Sequence, residues 1–257
     1  PVFSAIALIA CGLALWAATT PAGSSAEPPA GRQVAAAILS RPVLLAFWLV
    51  ALPSLFAGTF DVLVPLRLDE LGAGGVAIGA VFLVAAAIEA VASRAIGALS
   101  DRRGRMLPIR IGLAAAVAAA LLLPLPGLVA LLALALIAAV LATGFMWAPA
   151  MALLSDSAEA RNLDLAFASA LVSLSWAGGQ VIGGSAGPRL ADATSDALTY
   201  AVIAALFALT LAALLRGRAS GGGETNGPVG GLALHEADAA DRDRVGARGA
   251  AGRGELG

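Results

Sequence analysis

The sequence predicts an all-α membrane protein, a helical bundle of about seven transmembrane helices. Hydrophobic residues make up 60% of the chain, charged residues only 13%, and the mean hydropathy is +0.90. A soluble domain would carry about 25% charged residues. Apolar runs of about 20 residues recur along the chain, which is the length needed to cross a hydrocarbon core about 30 Å thick. In lipid such runs must be helices, because open strands would leave backbone groups unpaired.

The apolar runs place seven spans and divide the chain into segments. The spans cover residues 1–20, 43–66, 75–97, 107–124, 128–153, 163–187 and 197–215. Residues 21–41 contain serines, prolines and a glycine, which is typical of a linker. Residues 217–257 are rich in glycine, alanine, aspartate and arginine, so they bury too little apolar surface to fold and are predicted to form a disordered tail.

The arginines predict the orientation of the bundle. Short arginine-rich loops stay on the cytoplasmic side of a membrane, which assigns the loop at Arg102 to the inside. Only two arginines, Arg67 and Arg189, then lie outside. Those on or near the inside are Arg32, Arg41, Arg102, Arg103, Arg105, Arg110, Arg161, Arg216 and Arg218. We therefore expect a multi-pass protein of the plasma membrane whose tail is cytoplasmic.

A charged, glycine-punctuated segment joins spans three and four. Residues 97–105 read Gly-Ala-Leu-Ser-Asp-Arg-Arg-Gly-Arg, with long apolar runs on both sides. Asp101 could accept hydrogen bonds at the start of a neighbouring helix, where partial positive charge collects. Arg105 could pair with a carboxylate at a nearby helix end, and Asp156 is the best-placed candidate. The alternative is ordinary solvated loop charge, worth 0 to about 1 kcal/mol per pair.

The pattern Gly97-x-Leu-Ser-Asp101-Arg102-x-Gly104-Arg105 resembles the loop motif of the major facilitator superfamily. In that family the motif joins the second and third helices of each six-helix half. The resemblance implies that residues 42–216 form the six helices of a C-terminal half, built from inverted three-helix repeats. Residues 1–20 would be the last helix of an N-terminal half that is otherwise missing, and residues 21–41 the cytoplasmic linker. It further implies that Asp101, Arg105 and Asp156 form a gating network, with Arg161 on the next loop.

The sixth span carries a run of small residues. Gly179-x-x-x-Gly183, Gly184 and Gly187-Pro188 resemble a degenerate form of the glycine–proline motif of drug exporters. Small residues four apart also let two helix backbones approach closely. Close helix packing and a specific export role both remain open for these glycines.

Two carboxyl groups at membrane depth are the sharpest functional candidates. An ionised carboxylate in the bilayer costs several kcal/mol, so Asp61 and Glu89 should face protein or water. Glu89 lies near the middle of span three, where a carboxyl group removed from water could take up and release a proton. Its alternative role is a structural hydrogen bond to a neighbouring helix, and Asp61 could simply reach the outer interface.

Further candidates come from the family's helix roles. In the family the first helix of each triplet lines the central cavity and the second meets the other half. By that rule Met146 and Trp147 could contact an apolar substrate, and Gln180 would lie on an interface helix. Packing or lipid contact is the alternative for both aromatic and apolar side chains.

These observations predict a secondary active transporter that works by alternating access. The substrate would be a small amphipathic compound, and proton-coupled export by an antiporter is the expected mode. The chain contains no lysine and no phosphate-binding loop, and no cofactor, metal or nucleic-acid site is expected. An intramembrane serine enzyme is disfavoured, because Ser185 has no histidine or lysine base in the apolar body. The alternative function is a truncated or non-transporting subunit that needs a partner half.

Overall fold

The computed structural model describes residues 36–161, 163 and 165–221, and this part of the chain forms six long helices. They are α1 (Arg41–Glu70), α2 (Gly75–Arg103), α3 (Met106–Leu122), α4 (Val129–Glu159), α5 (Leu165–Ala193) and α6 (Asp196–Gly221). Five of them are long and apolar enough to cross a membrane, and α3 is an apolar helix of 17 residues. The predicted all-helical membrane bundle is confirmed. The predicted first span, residues 1–20, lies outside the described residues.

Several helices extend beyond the predicted spans, although α3 ends at Leu122, two residues before the predicted end of its span. Residues 97–103 continue α2, so the predicted loop shrinks to Gly104 and Arg105. Nothing between Gly97 and Gly104 breaks a helix, and arginines in a last turn complement the partial negative charge of a helix C-terminus. Residues 154–159, beyond the predicted end of the fifth span at residue 153, likewise lie inside α4. The last helix continues to Gly221, past residue 217, where the tail was predicted to begin.

The contacts between helices fix their directions. Ser175 of α5 donates a hydrogen bond to the carbonyl of Phe47, and Thr59 of α1 donates one to the carbonyl of Gly183. Contacts that advance together along both helices mean that α1 and α5 run parallel. Against α6 the order reverses, since Trp48 donates to Thr210 while Phe56 packs against both Tyr200 and Phe207. Helices α1 and α6 are therefore antiparallel.

The six helices form two triplets, α1–α3 and α4–α6, that pack across each other. The first helix of each triplet contacts the second helix of the other, α1 against α5 and α4 against α2, and the α1–α5 contact is much the more extensive. Helix α4 packs more extensively against α3 and α1 than against α2. Helices α1 and α4 also contact each other, as do α3 and α6. The pairs α1–α5 and α4–α2 are thus equivalent, because each joins the first helix of one triplet to the second helix of the other. The two helices of one pair run opposite to the two helices of the other pair. The arrangement places α1 and α4 at its centre.

Burial is uneven around the bundle. Half of α1 is buried, including Phe56, which makes edge-to-face contacts with Phe60, Tyr200 and Phe207 at centroid distances of 5.2, 6.3 and 5.5 Å. In α2, by contrast, only Ala85 and Ile96 are buried. Because α2 is apolar yet covered by so little of the described chain, most of its surface faces outward.

Candidate functional site

A cavity between α1, α2, α4 and α5 brings together the two carboxyl groups found at membrane depth. Its volume is about 190 Å³, and Asp61 and Glu89 both line it. Thr143 and Gln180 supply further polar groups, and none of the described residues that line it is basic. The remaining lining side chains are apolar or aromatic: Ala57, Phe60, Phe82, Ala85, Ala86, Val140 and Trp176. The site is an apolar chamber with acidic groups from two different helices.

Asp61 reaches the cavity from the central helix α1. It lies nine residues before the end of α1 at Glu70. Its side chain is hydrogen-bonded by the side chain of Gln180 on α5. Asp61 has no ion-pair partner among the described residues, so its side chain is free to meet a proton or a cation.

Glu89 enters the cavity from the middle of α2 and is half-buried. Its carboxyl group lies over Gly144 of α4, where a methyl group on the glycine would stand 3.0 Å from Glu89 Oε1. The absence of a side chain at this position makes room for the carboxyl group. Glycine is what lets a charged side chain pack against the facing helix here.

A related contact lies in the other triplet, where Gly58 of α1 faces Gln180 of α5. A methyl group on Gly58 would stand 2.5 Å from the backbone oxygen of Gln180 and 2.9 Å from its side-chain Oε1. Gly58 is thus required first by the close approach of two helix backbones, whereas Gly144 faces the side chain of Glu89. Glu89 and Gln180 both line the cavity, and neither glycine is among its lining residues.

Trp147, proposed from the sequence, lies against a second tryptophan. The rings of Trp147 and Trp176 are tilted by 58° with their centroids 4.0 Å apart, and Trp176 lines the cavity. Met146 is placed elsewhere. It is fully buried, and its Cγ lies 2.5 Å from where a methyl group on Gly112 of α3 would stand. Met146 thus packs α4 against α3 and is not exposed to the cavity.

The glycines of α5 form the contact with α1. A methyl group on Gly179 would stand 2.5 Å from the carbonyl oxygen of Ala51, and one on Gly187 would stand 2.7 Å from Thr59 Cγ2. A methyl group on Gly183 would collide with the backbone of Leu55. Only Gly184 leaves ordinary room, with its nearest neighbour at 3.4 Å. The close approach of two helices accounts for three of these four glycines.

Polar side chains reinforce this contact. Ser54 Oγ donates to the carbonyl of Trp176, and both Ser54 and Thr59 are fully buried. Ser54, Gly58 and Asp61 follow one another at near-helical spacing, but Ser54 and Gly58 pack against α5 and Asp61 alone of the three lines the chamber.

The predicted ionic contact lies at the charged end, which is the end of the bundle that carries residues 97–105. Arg105 forms an ion pair with Asp156 at the end of α4. Asp101 is exposed in the last turn of α2 and joins no described hydrogen bond, contrary to the role expected for it. Arg102 is exposed beside it, and Arg161 donates instead to the carbonyl of Ser157 at 2.8 Å. Among the described residues, the ion pair between Arg105 and Asp156 joins these helix ends, and Asp101 takes no part in it.

The glycines of the charged segment differ in their roles. Gly104 ends α2 with φ 79° and ψ 158°, a conformation that is essentially restricted to glycine. Gly97 is helical, and no neighbouring atom lies within 4 Å of the position that a methyl group would take. The turn therefore requires Gly104, and the described residues impose no such requirement at Gly97.

Comparison of the sequence with protein-family models agrees with an all-helical membrane bundle. A family model described as Major Facilitator Superfamily matches residues 2–165, from before α1 to the start of α5 and more than half of the 257 residues. The chain belongs to the major facilitator superfamily. As a member of that superfamily it is a multi-pass membrane protein and a secondary transporter. No curated protein sequence matches the chain.

Sequence reasoning missed some residues of this site. Gly144 gave a local signal, a glycine in the middle of an apolar helix directly after Thr143, which is typical of close helix approach. Phe60 and Phe82 gave none, because which face of an apolar helix lines a cavity depends on how the other helices pack.

Proposed function

We propose that the transporter exports a small amphipathic compound in exchange for protons, by alternating access. The observation that carries the proposal is that Asp61 and Glu89, on two different helices, line a single cavity that contains no basic residue among those described. A carboxylate at membrane depth is costly unless a proton or a cation compensates its charge. Competition between a proton and a cationic group for these carboxyl groups is the physical basis of exchange.

The cavity also fits an amphipathic substrate. Phe60, Phe82 and Trp176 offer apolar and aromatic surface, while Thr143 and Gln180 offer hydrogen-bonding groups. Ligand sites are mostly apolar with a few polar groups that fix orientation. We assign the aromatic surface to the apolar part of the substrate and the carboxyl groups to proton exchange.

In this proposal the charged end faces the cytoplasm of a cell whose plasma membrane holds the protein, and residues following α6 lie on that side. The excess of arginine at this end supports the orientation. The ion pair between Arg105 and Asp156 lies at the rim and would favour the state in which this end is closed. Separation of the pair would accompany opening.

The proposal is tested in everted membrane vesicles that carry the full chain. The probe is a fluorescent amphipathic compound, chosen beforehand because it raises the thermal stability of the purified protein. We expect a proton gradient to drive uptake of this probe in the wild type, and Glu89→Gln to abolish the dependence on the gradient. Asp61→Asn should weaken it. The control is Glu70→Gln, because Glu70 is exposed at a helix end and pairs with Arg67. Unchanged gradient dependence in Glu89→Gln would contradict the proposal.

A second candidate function is a membrane subunit that requires a partner half. The observation in its favour is the exposed apolar surface of α2, where Val76 is 90% exposed and Val91 76% exposed. We infer that α1–α6 form one lobe, the C-terminal one, and that a second lobe completes the cavity against α2 and α5. Transport by the chain alone as a monomer would contradict this inference, whereas transport only by a longer form or after co-expression of a partner half would support it.

A further inference from the structure

A second cavity lies at the charged end, away from the proposed transport site. Its volume is about 400 Å³, and its lining residues are Arg103 from the last turn of α2 together with Met106, Leu107 and Arg110 from the start of α3. Two guanidinium groups from different helices thus share one hollow with two apolar side chains. Neither arginine forms an ion pair with any other described residue.

Arg110 has unused hydrogen-bonding capacity at this place. Its Nη2 donates to the carbonyl of Leu214 on α6 at 3.5 Å, which ties the side chain to the neighbouring helix. Its Nε is buried and has no partner among the described residues. The guanidinium group of Arg110 is thus only partly compensated by its protein neighbours. An anion in the cavity would offset its charge and accept hydrogen bonds from its remaining donors.

We infer that this cavity binds a phosphate group, and that an anionic phospholipid supplies it. Guanidinium groups donate parallel hydrogen bonds that match the oxygens of a phosphate. Arg103 ends α2, and Arg110 lies about one turn, or about 6 Å, inside the start of α3. This is the depth at which lipid headgroups meet the ends of transmembrane helices. Met106 and Leu107 offer apolar contact to the first carbons of an acyl chain, which favours a lipid over a free ion.

The site would couple the lipid to the turn at Gly104. The arginines stand on either side of that two-residue connection, and Arg105 within it holds Asp156 of α4. A phosphate bound by Arg103 and Arg110 therefore clamps α2 to α3 next to the contact with α4. Basic pockets between transmembrane helices are a known form of site for anionic headgroups.

The test counts bound lipids by native mass spectrometry of the full chain, purified in detergent and freed of lipid. Dioleoylphosphatidylglycerol is titrated in parallel with dioleoylphosphatidylcholine, whose headgroup has no net charge. We expect the anionic lipid to bind more tightly to the wild type, and Arg103→Gln and Arg110→Gln each to weaken its binding about fivefold. Arg102→Gln is the matched control, because Arg102 is the neighbouring exposed arginine but does not line the cavity. It should bind the anionic lipid as the wild type does.

Arg103→Gln decides the result even if Arg110→Gln fails to fold, since Arg103 is exposed and has no described partner to lose. Millimolar inorganic phosphate is added to separate the two sources of the group. Persistence of the lipid supports a headgroup site, and its displacement supports a phosphate site that free phosphate also fills. Equal binding of the anionic lipid by Arg103→Gln and Arg102→Gln would overturn the inference, as would equal binding of both lipids by the wild type.

Discussion

The carboxyl group of Glu89 lies over Gly144 of the facing helix α4, at a position where a methyl group would stand 3.0 Å from Oε1. The contact joins the two triplets inside the cavity. At Gly58 of α1 the nearest atom is instead the backbone oxygen of Gln180, which reflects close helix packing. The position of the Glu89 carboxyl group thus depends on the glycine at position 144, and this dependence can be tested.

Gly144→Val should displace Glu89 and impair transport. The glutamate side chain is flexible, so we expect the protein to fold, but a misplaced functional group costs about tenfold or more in rate. The measurement is the initial rate of probe transport together with thermal stability. The control is Gly178→Val on α5, where no neighbouring atom lies within 4 Å of an added methyl group. Wild-type transport rates in Gly144→Val would show that the contact has no functional role.

Gly183→Ala should destabilise the contact between α1 and α5. An added methyl group would meet the backbone of Leu55, which cannot move aside as a side chain does. Overpacking of this kind costs about 1–3 kcal/mol. Gly178→Ala adds the same methyl group in open space on the same helix and should leave stability unchanged or slightly higher. Thermal unfolding in detergent measures both, and equal melting temperatures for the two variants would refute the assigned packing.

Gly104→Ala should be harmful where Gly97→Ala is not, although both glycines belong to the same motif. The backbone at Gly104 has φ 79°, and forcing alanine into this conformation costs about 1–3 kcal/mol. Gly97 is helical and faces open space, so alanine there should be neutral or stabilise the helix by up to about 1 kcal/mol. The comparison requires only the unfolding temperatures of the two variants. A larger loss for Gly97→Ala would contradict the assigned roles.

Breaking the ion pair at the charged end should shift the balance of conformations more than it lowers stability. The side chains of Arg105 and Asp156 are 35% and 59% exposed, so the pair contributes at most about 1 kcal/mol to folding. The same energy changes the ratio of two conformations about fivefold. We therefore expect Arg105→Gln and Asp156→Asn to change the labelling rate of a cysteine at position 143 about fivefold, measured with an impermeant maleimide in a Cys11→Ser background.

The double variant with exchanged charges, Arg105→Asp with Asp156→Arg, is the control for this ion pair. It restores the attraction while it removes both native side chains, so labelling should return toward the rate of the parent. Labelling rates that stay shifted in the double variant would assign the effect to something other than the pairing.

Much of the fold was accessible from the sequence because the bilayer restricts the alternatives. Apolar runs long enough to span lipid had to be helices, and each of the six described helices corresponds to one predicted span. The ends were harder to predict, since charge and not hydropathy extends α2 to Arg103 and α4 to Glu159. A span predicted from hydropathy ends where charged residues begin, whereas the helix continues through those residues.

The site was only partly accessible for a different reason. Asp61 and Glu89 stood out because charge is costly at membrane depth. That they line one cavity depends on which helices pack together, and periodicity alone does not state this. Met146 is an example. The sequence predicts the same substrate-contacting role for Met146 and Trp147, yet Met146 packs against α3 and Trp147 packs against Trp176.

The most direct test of the account is the number of protons released when the transported compound binds to the purified chain in weakly buffered detergent solution. We predict that binding releases protons from the wild type, that Glu89→Gln binds the compound without that release, and that Glu70→Gln behaves as the wild type does. Release of the same number of protons by Glu89→Gln and by the wild type would contradict the assignment of proton exchange to this cavity.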